Sequence, residues 1–116
     1  MKEKQLQDIT ALYGRLSRDD EVGGESMSIQ SQRAILGQYA KEHGFTNCRF
    51  FMDDGYSGTN FDRPAFTEMM ELVEQRRVRT IIVKDLSRLG RNYLEVGRYT
   101  EVIFPENKVR FIAITD

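Results

Sequence analysis

The 116-residue sequence contains one cysteine, one histidine, two prolines and no tryptophan. A single cysteine, Cys48, excludes an internal disulfide framework and is typical of proteins of the reducing cytosol. No apolar run approaches the roughly 20 residues that a helix needs to cross a bilayer. The N-terminal sequence MKEKQLQD also lacks the apolar stretch of a signal peptide. These absences predict a cytoplasmic protein that does not contact a membrane.

The chain also lacks an excess of charge of either sign, because 17 basic and 18 acidic residues leave a net charge of −1. Dedicated DNA-binding domains are usually basic overall, so the total argues weakly against one. The basic residues nevertheless concentrate around one segment, RTIIVKDLSRLGR (79–91), whose run of β-branched residues predicts a buried strand. Three cations follow this strand and three lie before or at its start: Lys84, Arg88 and Arg91, then Arg76, Arg77 and Arg79. Positive charge that is concentrated in one segment of a nearly neutral chain indicates a functional site.

Apolar patterns that alternate between strand and helix set the expected architecture. The predicted strands are 9–17, 49–52, 80–84 and 109–114. The predicted helices are 28–43, a helix with Pro64 near its start, and 92–104, which Pro105 should end. The loops 18–27 and 53–60 lie between them, and the first, which is rich in acids and glycine, is expected to be mobile without DNA. The chain is thus predicted to be one α/β domain with a mainly parallel four- to five-stranded sheet and helices on both faces.

In parallel sheets of this kind, ligands bind beyond the carboxyl ends of the strands. Ser17 follows the first predicted strand, Asp53 and Asp54 follow the second, and Lys84, Arg88 and Arg91 follow the third, so all are expected at one edge. Along the first strand, the alternation of side chains places Tyr13, Arg15 and Ser17 on one face. Arg88 and Arg91 are expected on an exposed polar rim there.

A serine hydroxyl among arginines indicates chemistry at a phosphate. Guanidinium groups match phosphate oxygens and remain protonated, and nearby positive charge favours a serine alkoxide. The only histidine, His43, ends a predicted helix, which leaves no histidine base for the site. Asp53 and Asp54 could suit magnesium, but two neighbouring aspartates in a loop are most often turn formers, and no metal is expected. Ser57 is a competing nucleophile whose YSGTN setting is more typical of a turn.

Four motifs, in this order, resemble the catalytic domain of the serine site-specific recombinases: YGRLS (13–17), SIQSQ (28–32), YSGTNFDRPAF (56–66) and KDLSRLGRN (84–92). Their spacing is most similar to that of the large serine recombinases of transposons and phages. The resemblance implies a resolvase-like catalytic domain of bacterial or phage origin, associated with the nucleoid. It also implies excision or insertion of a mobile element without a metal or ATP.

The resemblance implies a role for each matching residue. Ser17 corresponds to the nucleophile that attacks a DNA phosphodiester and forms a 5′-phosphoserine link. The residues implied to hold and polarise the phosphate are Arg15, Arg63, Arg88 and Arg91. Gln32 is implied to face the same site, although it could merely face solvent, and Tyr13 and Lys84 are implied to have supporting roles.

One position departs from the small resolvases of this family, which often carry aspartate where this chain has Ser87. The identity of the general acid is therefore open.

The resemblance also implies partners. These are double-stranded DNA and further copies of the protein, which form dimers and then a tetramer. A dimerisation helix and a DNA-binding region are expected to follow residue 116, so residues 1–116 alone are expected to be monomeric and to bind DNA poorly. Two other functions stay open: a non-enzymatic α/β module that binds phosphate or DNA through the basic edge, and a hydrolase of small phosphate esters that uses Ser17.

Overall fold

A computed structural model describes residues 8–16, 28–54, 63–90 and 92–115 of the chain. Four strands form one sheet in the order β2-β1-β3-β4: β1 (Ile9–Leu16), β2 (Cys48–Asp54), β3 (Val78–Val83) and β4 (Arg110–Ala113). All three strand pairs are parallel. The helices between the strands are α1 (Ile29–Glu42), α2 (Pro64–Glu74), α3 (Tyr93–Arg98) and α4 (Phe104–Glu106), with a 3₁₀ turn at Leu86–Arg88. The predicted parallel α/β fold is confirmed.

Helices cover both faces of the sheet, because the two sets of alternating side chains in β1 and β3 are both apolar. On one face, Leu12 and Ile82 pack against Leu36 and Ala40 of α1. On the other face a larger core contains apolar residues of β1, α2, β3 and α4: Ala11, Tyr13, Phe66, Met69, Val73, Ile81, Val83 and Phe104. Since β1 lies between β2 and β3 in the sheet, the residues at its carboxyl end are placed at the centre of the sheet edge.

Several boundaries differ from the sequence predictions, among them the carboxyl end of β2 and the end of the helix that follows Asn92. Asp53 and Asp54 lie inside β2, paired with Arg15 and Leu16 of β1, and not in a loop. The helix after Asn92 was predicted to end by Phe104, and this is wrong, since helical structure continues to Glu106.

The continuation depends on a π-helical turn, Tyr99–Ile103, in which the Phe104 N–H bonds to the Tyr99 carbonyl five residues earlier. Pro105 then stands in the first turn of α4, directly after the π-helical turn. The π-helical turn thus coincides with the point at which proline removes an N–H donor from the helix.

Three helices end in the same way before the next strand begins. After α1, the Gly44 N–H bonds to the Lys41 carbonyl and the Phe45 N–H bonds to the Ala40 carbonyl. This pair of bonds is a Schellman motif, which requires a left-handed residue just past the helix. Gly44 supplies it with φ of 76°, at the position where the sequence predicted the helix to stop.

Two of these motifs place a cation where glycine is usual. Arg76 after α2 has φ of 61° and Lys108 after α4 has φ of 60°. Their hydrogen bonds match those at Gly44: Arg76 to Val73, Arg77 to Leu72, Lys108 to Pro105 and Val109 to Phe104. A residue with a Cβ atom costs roughly 1–2 kcal/mol in the left-handed region. The chain therefore carries backbone strain at two basic residues.

None of the helices in the described part of the chain is both long and apolar enough to span a membrane.

Candidate active site

The site begins at the carboxyl end of β1, where Arg15 is fully buried. Its guanidinium group reaches the turn after β3: Nε donates to the Arg88 carbonyl at 3.2 Å, and Nη2 donates to the Ser87 carbonyl at 2.6 Å. In a short 3₁₀ turn, few backbone N–H groups are available to donate to the carbonyls of the turn. The Arg15 guanidinium supplies the missing donors and fixes the turn to the central strand.

Arg88 and Arg63 complete the same connection. Arg88 Nη1 donates back to the Arg15 carbonyl at 3.0 Å. Arg63, at the start of α2, donates from Nη1 to the Arg88 carbonyl at 3.2 Å and from Nη2 to the Leu89 carbonyl at 2.8 Å. Arg15, Arg63 and Arg88, hereafter the arginine clamp, thus join β1, α2 and the turn after β3 through backbone carbonyls.

Gln32 fixes the backbone of Arg15 from the other side of the sheet. Its Oε1 accepts from the Arg15 N–H at 3.1 Å and its Nε2 donates to the Arg15 carbonyl at 3.0 Å. The side chain is fully buried, so it does not face solvent. A Cβ atom at Gly14 would lie 2.8 Å from Gln32 Oε1 and 2.6 Å from Met52 Sδ. Glycine at position 14 therefore leaves the space that Gln32 needs.

A buried carboxylate organises the opposite side of the clamp. Asp53 is 2% exposed, and its Oδ2 accepts from the Tyr13 hydroxyl at 2.9 Å and from the Phe66 N–H at 3.0 Å. Its Oδ1 accepts from the Ala65 N–H at 2.9 Å. Arg63, the residue that precedes the first turn of α2, provides no side-chain cap. Asp53 of β2 caps the helix instead, and so fixes the segment that carries Arg63.

A second carboxylate lies beside Arg88. Asp85 Oδ1 accepts from the Ser87 N–H at 3.0 Å and from the Ser87 hydroxyl. The same carboxylate lies 3.6 Å from Arg88 Nε and 3.5 Å from Lys84 Nζ. Ser87 is therefore hydrogen-bonded to an aspartate two residues earlier in the chain.

Burial alters the acid–base properties of this region. It raises the pKa of the Tyr13 phenol above its ordinary value, and Asp53 adds to that rise. Burial lowers the pKa of the Arg63 guanidinium, while Tyr13 and Asp53 act to raise it. The phenol therefore stays protonated and acts as a hydrogen-bond donor to Asp53.

The structure brings together the described members of the predicted site: Tyr13, Arg15, Gln32, Arg63, Lys84, Ser87 and Arg88. The expectation that Arg88 lies on an exposed rim is wrong, because Arg88 is only 6% exposed. Ser17, Arg91 and the loop 18–27 lie outside the described residues. The Arg15 carbonyl, two residues before Ser17, is in contact with Arg88.

The roles of Asp53 and Asp85 were not predicted from the sequence. Asp53 has no motif of its own, and only its place inside a strand, next to a helix start without a capping side chain, could have indicated it. Asp85 carried a clearer signal, since Asp-x-Ser just after a strand is typical of an Asx turn. In the described residues, no group of three or more His, Cys, Asp or Glu side chains could hold a metal ion.

The chain is similar to a known protein family and to a phage protein. Residues 10–116 match the family model described as Resolvase, N terminal domain. An uncharacterized immunity region protein 3 of Bacillus phage phi105 is 30% identical over 64 residues, which are 55% of this chain and 77% of that protein.

Two solved structures are similar over 92% of this chain. The N-terminal catalytic domain of TP901-1 integrase is 28% identical, with a TM-score of 0.80 and 77% of that chain covered. A resolvase family site-specific recombinase from Streptococcus pneumoniae is 25% identical, with a TM-score of 0.73 and 72% of that chain covered. The match to the family model extends over the whole sheet apart from Ile9.

Proposed function

We propose that this chain, which belongs to the resolvase N-terminal domain family and has the fold of serine recombinase catalytic domains, cuts and rejoins DNA with Ser17 as its nucleophile. The observation that carries the proposal is the arginine clamp at the end of β1. Arg88 Nη1 contacts the carbonyl of Arg15, and Arg15 precedes Ser17 by two residues in the chain.

The proposed reaction exchanges one phosphoester for another. The Ser17 oxygen attacks the phosphorus of a DNA phosphodiester and loses its proton, while the bond to the 3′ oxygen breaks and that oxygen takes up a proton. The products are a 5′-phosphoserine link and a free 3′ hydroxyl. Attack by a 3′ hydroxyl of a second DNA end reverses the step and releases Ser17. Because each ester is replaced by another, we propose that the reaction needs neither ATP nor a metal.

The charges of the described residues support a phosphate at this edge. Three guanidinium groups, those of Arg15, Arg63 and Arg88, lie within one hydrogen-bonded network, and two carboxylates, Asp53 and Asp85, lie beside it. Counted over the described residues, the network carries an excess of positive charge in a buried setting, where the attraction of a cation for a phosphoryl group under attack is stronger than in water. Arg91 is proposed to add a fourth guanidinium.

We propose separate roles for the remaining residues of the site. Gln32 and Tyr13 position β1, since Gln32 holds the Arg15 backbone and Tyr13 is bonded to Asp53. Ser87 and Asp85 form the candidate proton path to the leaving oxygen, because the hydroxyl is bonded to a carboxylate beside Arg88. Lys84 also lies near Asp85 and offsets its negative charge.

The family further supports a proposal about partners. We propose double-stranded DNA as the substrate, and assembly of the protein into dimers and a tetramer during strand exchange.

A covalent trap tests the nucleophile. The gene product that contains these residues is incubated with plasmid DNA carrying the ends of the mobile element that encodes it, and the reaction is stopped in denaturant. Wild type should give a protein–DNA adduct whose phosphate maps to Ser17 by peptide mass spectrometry, and Ser17→Ala should give none.

Ser57→Ala is the matched control, because Ser57 is the competing serine of the same predicted edge, and it should keep the adduct. Adducts that persist in Ser17→Ala would refute the assignment. A wild type that binds the DNA but forms no adduct would favour a module that binds phosphate without chemistry.

A further inference from the structure

A second basic surface lies at the opposite end of the sheet from the arginine clamp. Four exposed cations surround two adjoining grooves there: Arg76, Arg79, Lys108 and Arg110, hereafter the amino-end surface. Arg79 and Lys108 line both grooves, which have volumes of about 240 and 390 Å³. Asp8 is the acid among the described lining residues, and it pairs with Arg79 at 3.2 Å. The surface is therefore mainly positive.

The amino-end surface is separate from the site already described. Its residues stand at or before the first residues of β3 and β4, whereas the clamp is formed at the carboxyl ends of β1 and β3. A parallel strand of 6 residues such as β3 is about 20 Å long. The two basic regions are thus too far apart for one phosphate group to contact both.

Two of the four cations occupy strained positions. Arg76 and Lys108 are the left-handed residues of Schellman motifs whose counterpart after α1 is Gly44. A cation near a helix C-terminus interacts favourably with the helix dipole, but any position in the last turn offers that interaction without a left-handed backbone. Both strained residues line the same groove. Arg76 Nε donates to Asn107 Oδ1 there at 3.4 Å. Strain that persists at such positions is often connected with function.

We infer that the amino-end surface binds the phosphate backbone of double-stranded DNA, outside the segment that is cut. The chemistry that it offers is that of phosphate recognition, with three arginines and a lysine around open grooves. Contacts of this kind carry no sequence information and would hold flanking DNA, or the DNA of a second site, against the domain. The inference takes its ligand from the proposed function, but it does not depend on Ser17 as nucleophile.

Glycine substitutions provide a sharp test, since they remove the charge and relieve the strain together. The 116-residue chain carrying Ser17→Ala, which removes the proposed nucleophile, is titrated into a fluorescent 20-base-pair duplex of arbitrary sequence at about 50 mM salt. Arg76→Gly with Lys108→Gly should weaken binding by about tenfold and lower the salt slope by about two. The melting temperature of this variant should be equal to or higher than that of the parent.

Arg33→Gln with Arg49→Gln is the matched control, because it also removes two exposed cations, neither of which lines either groove. It should change binding less than twofold. Arg79→Gln with Arg110→Gln tests the same surface without altering a left-handed residue, and it should weaken binding in the same way.

The inference is overturned if the glycine variant and the Arg79/Arg110 variant both bind within twofold of the parent. Absence of any binding by the parent at this salt concentration also overturns it. A glycine variant that melts at a lower temperature than the parent would assign Arg76 and Lys108 a structural role and would likewise overturn it. None of these outcomes affects the adduct test on Ser17, so the two proposals can fail independently.

Discussion

Replacement of Asp53 by alanine should be one of the most destabilising single changes in the described part of the chain. The carboxylate accepts three hydrogen bonds, from the Tyr13 hydroxyl and from the first N–H groups of α2, at 2.9 to 3.0 Å. Loss of the helix cap costs about 1 kcal/mol. The Tyr13 hydroxyl, buried without its acceptor, costs about 1–3 kcal/mol more. We expect a total of about 3 kcal/mol, a large part of the roughly 5–15 kcal/mol that stabilises a typical domain.

A double-mutant cycle with Tyr13→Phe makes this prediction specific. Alone, Tyr13→Phe removes one hydrogen bond to a charged group and should cost about 1.5 kcal/mol. With Asp53→Ala already present, the same change removes a buried hydroxyl that has lost its acceptor, so it should restore stability. The double variant is therefore expected to be more stable than Asp53→Ala alone, with a coupling energy within the range of about 0.5–3 kcal/mol found for residues in contact.

Urea unfolding followed by far-UV circular dichroism measures these free energies, provided that the slope against urea stays constant. Asp54→Ala is the matched control, because Asp54 is the exposed neighbour in β2 and its loss should cost less than about 0.5 kcal/mol. A cost below about 1 kcal/mol for Asp53→Ala, or a double variant less stable than Asp53→Ala, would refute the reasoning.

Three further predictions concern the same region. Gly14→Ala should destabilise the fold by about 1–3 kcal/mol in urea unfolding, because its Cβ atom would meet Gln32 at 2.8 Å and Met52 at 2.6 Å; an unchanged midpoint would contradict this. Arg88→Ala should lower stability by about 2 kcal/mol, since the side chain is 6% exposed and bonded to the Arg15 carbonyl; a loss of cleavage at unchanged stability would instead restore the exposed-rim interpretation. Burial raises the pKa of Tyr13 above its ordinary value of 10.0, so the unfolded chain ionises first and stability should fall as the pH rises through about 10, by at most about 1.4 kcal/mol per pH unit. Tyr13→Phe should make that fall shallower in urea unfolding between about pH 9 and pH 11, and identical slopes would show that another group is responsible.

Much of the fold could be predicted because its patterns are local. The β-branched run before Lys84 predicted β3, and Gly44 marked the end of α1 because a left-handed residue there is most often glycine. The same rule gave no signal at Arg76 and Lys108, where cations adopt the conformation that glycine usually takes. The helix end that Pro105 predicted was wrong, because a π-helical turn directly precedes the proline and helical structure continues past it.

The sequence indicated which of several described residues lie close together at this edge, but not that their side chains are buried. Alternation along β1 placed Tyr13 and Arg15 on one face, and in the structure Tyr13 contacts Asp53 inside β2 while Arg15 contacts the turn after β3. The burial of Arg15 could not be read from the sequence, because arginine is most often a surface residue. The acceptors that allow Arg15 and Arg63 to be buried are backbone carbonyls, and every residue has a carbonyl. Contacts of a side chain with the carbonyl of a residue far away in the sequence leave no pattern in the sequence.

The arginine clamp binds main-chain oxygens, and this has a consequence for how the site can change during evolution. Because Arg15 recognises the carbonyl of residue 87 and not its side chain, replacement of Ser87 leaves that contact available. The clamp itself has no such freedom, since Arg15 and Arg63 share the carbonyl of Arg88. The side chain at position 87, which belongs to the proposed proton path, can therefore change without loss of the clamp, whereas Arg15 and Arg63 cannot.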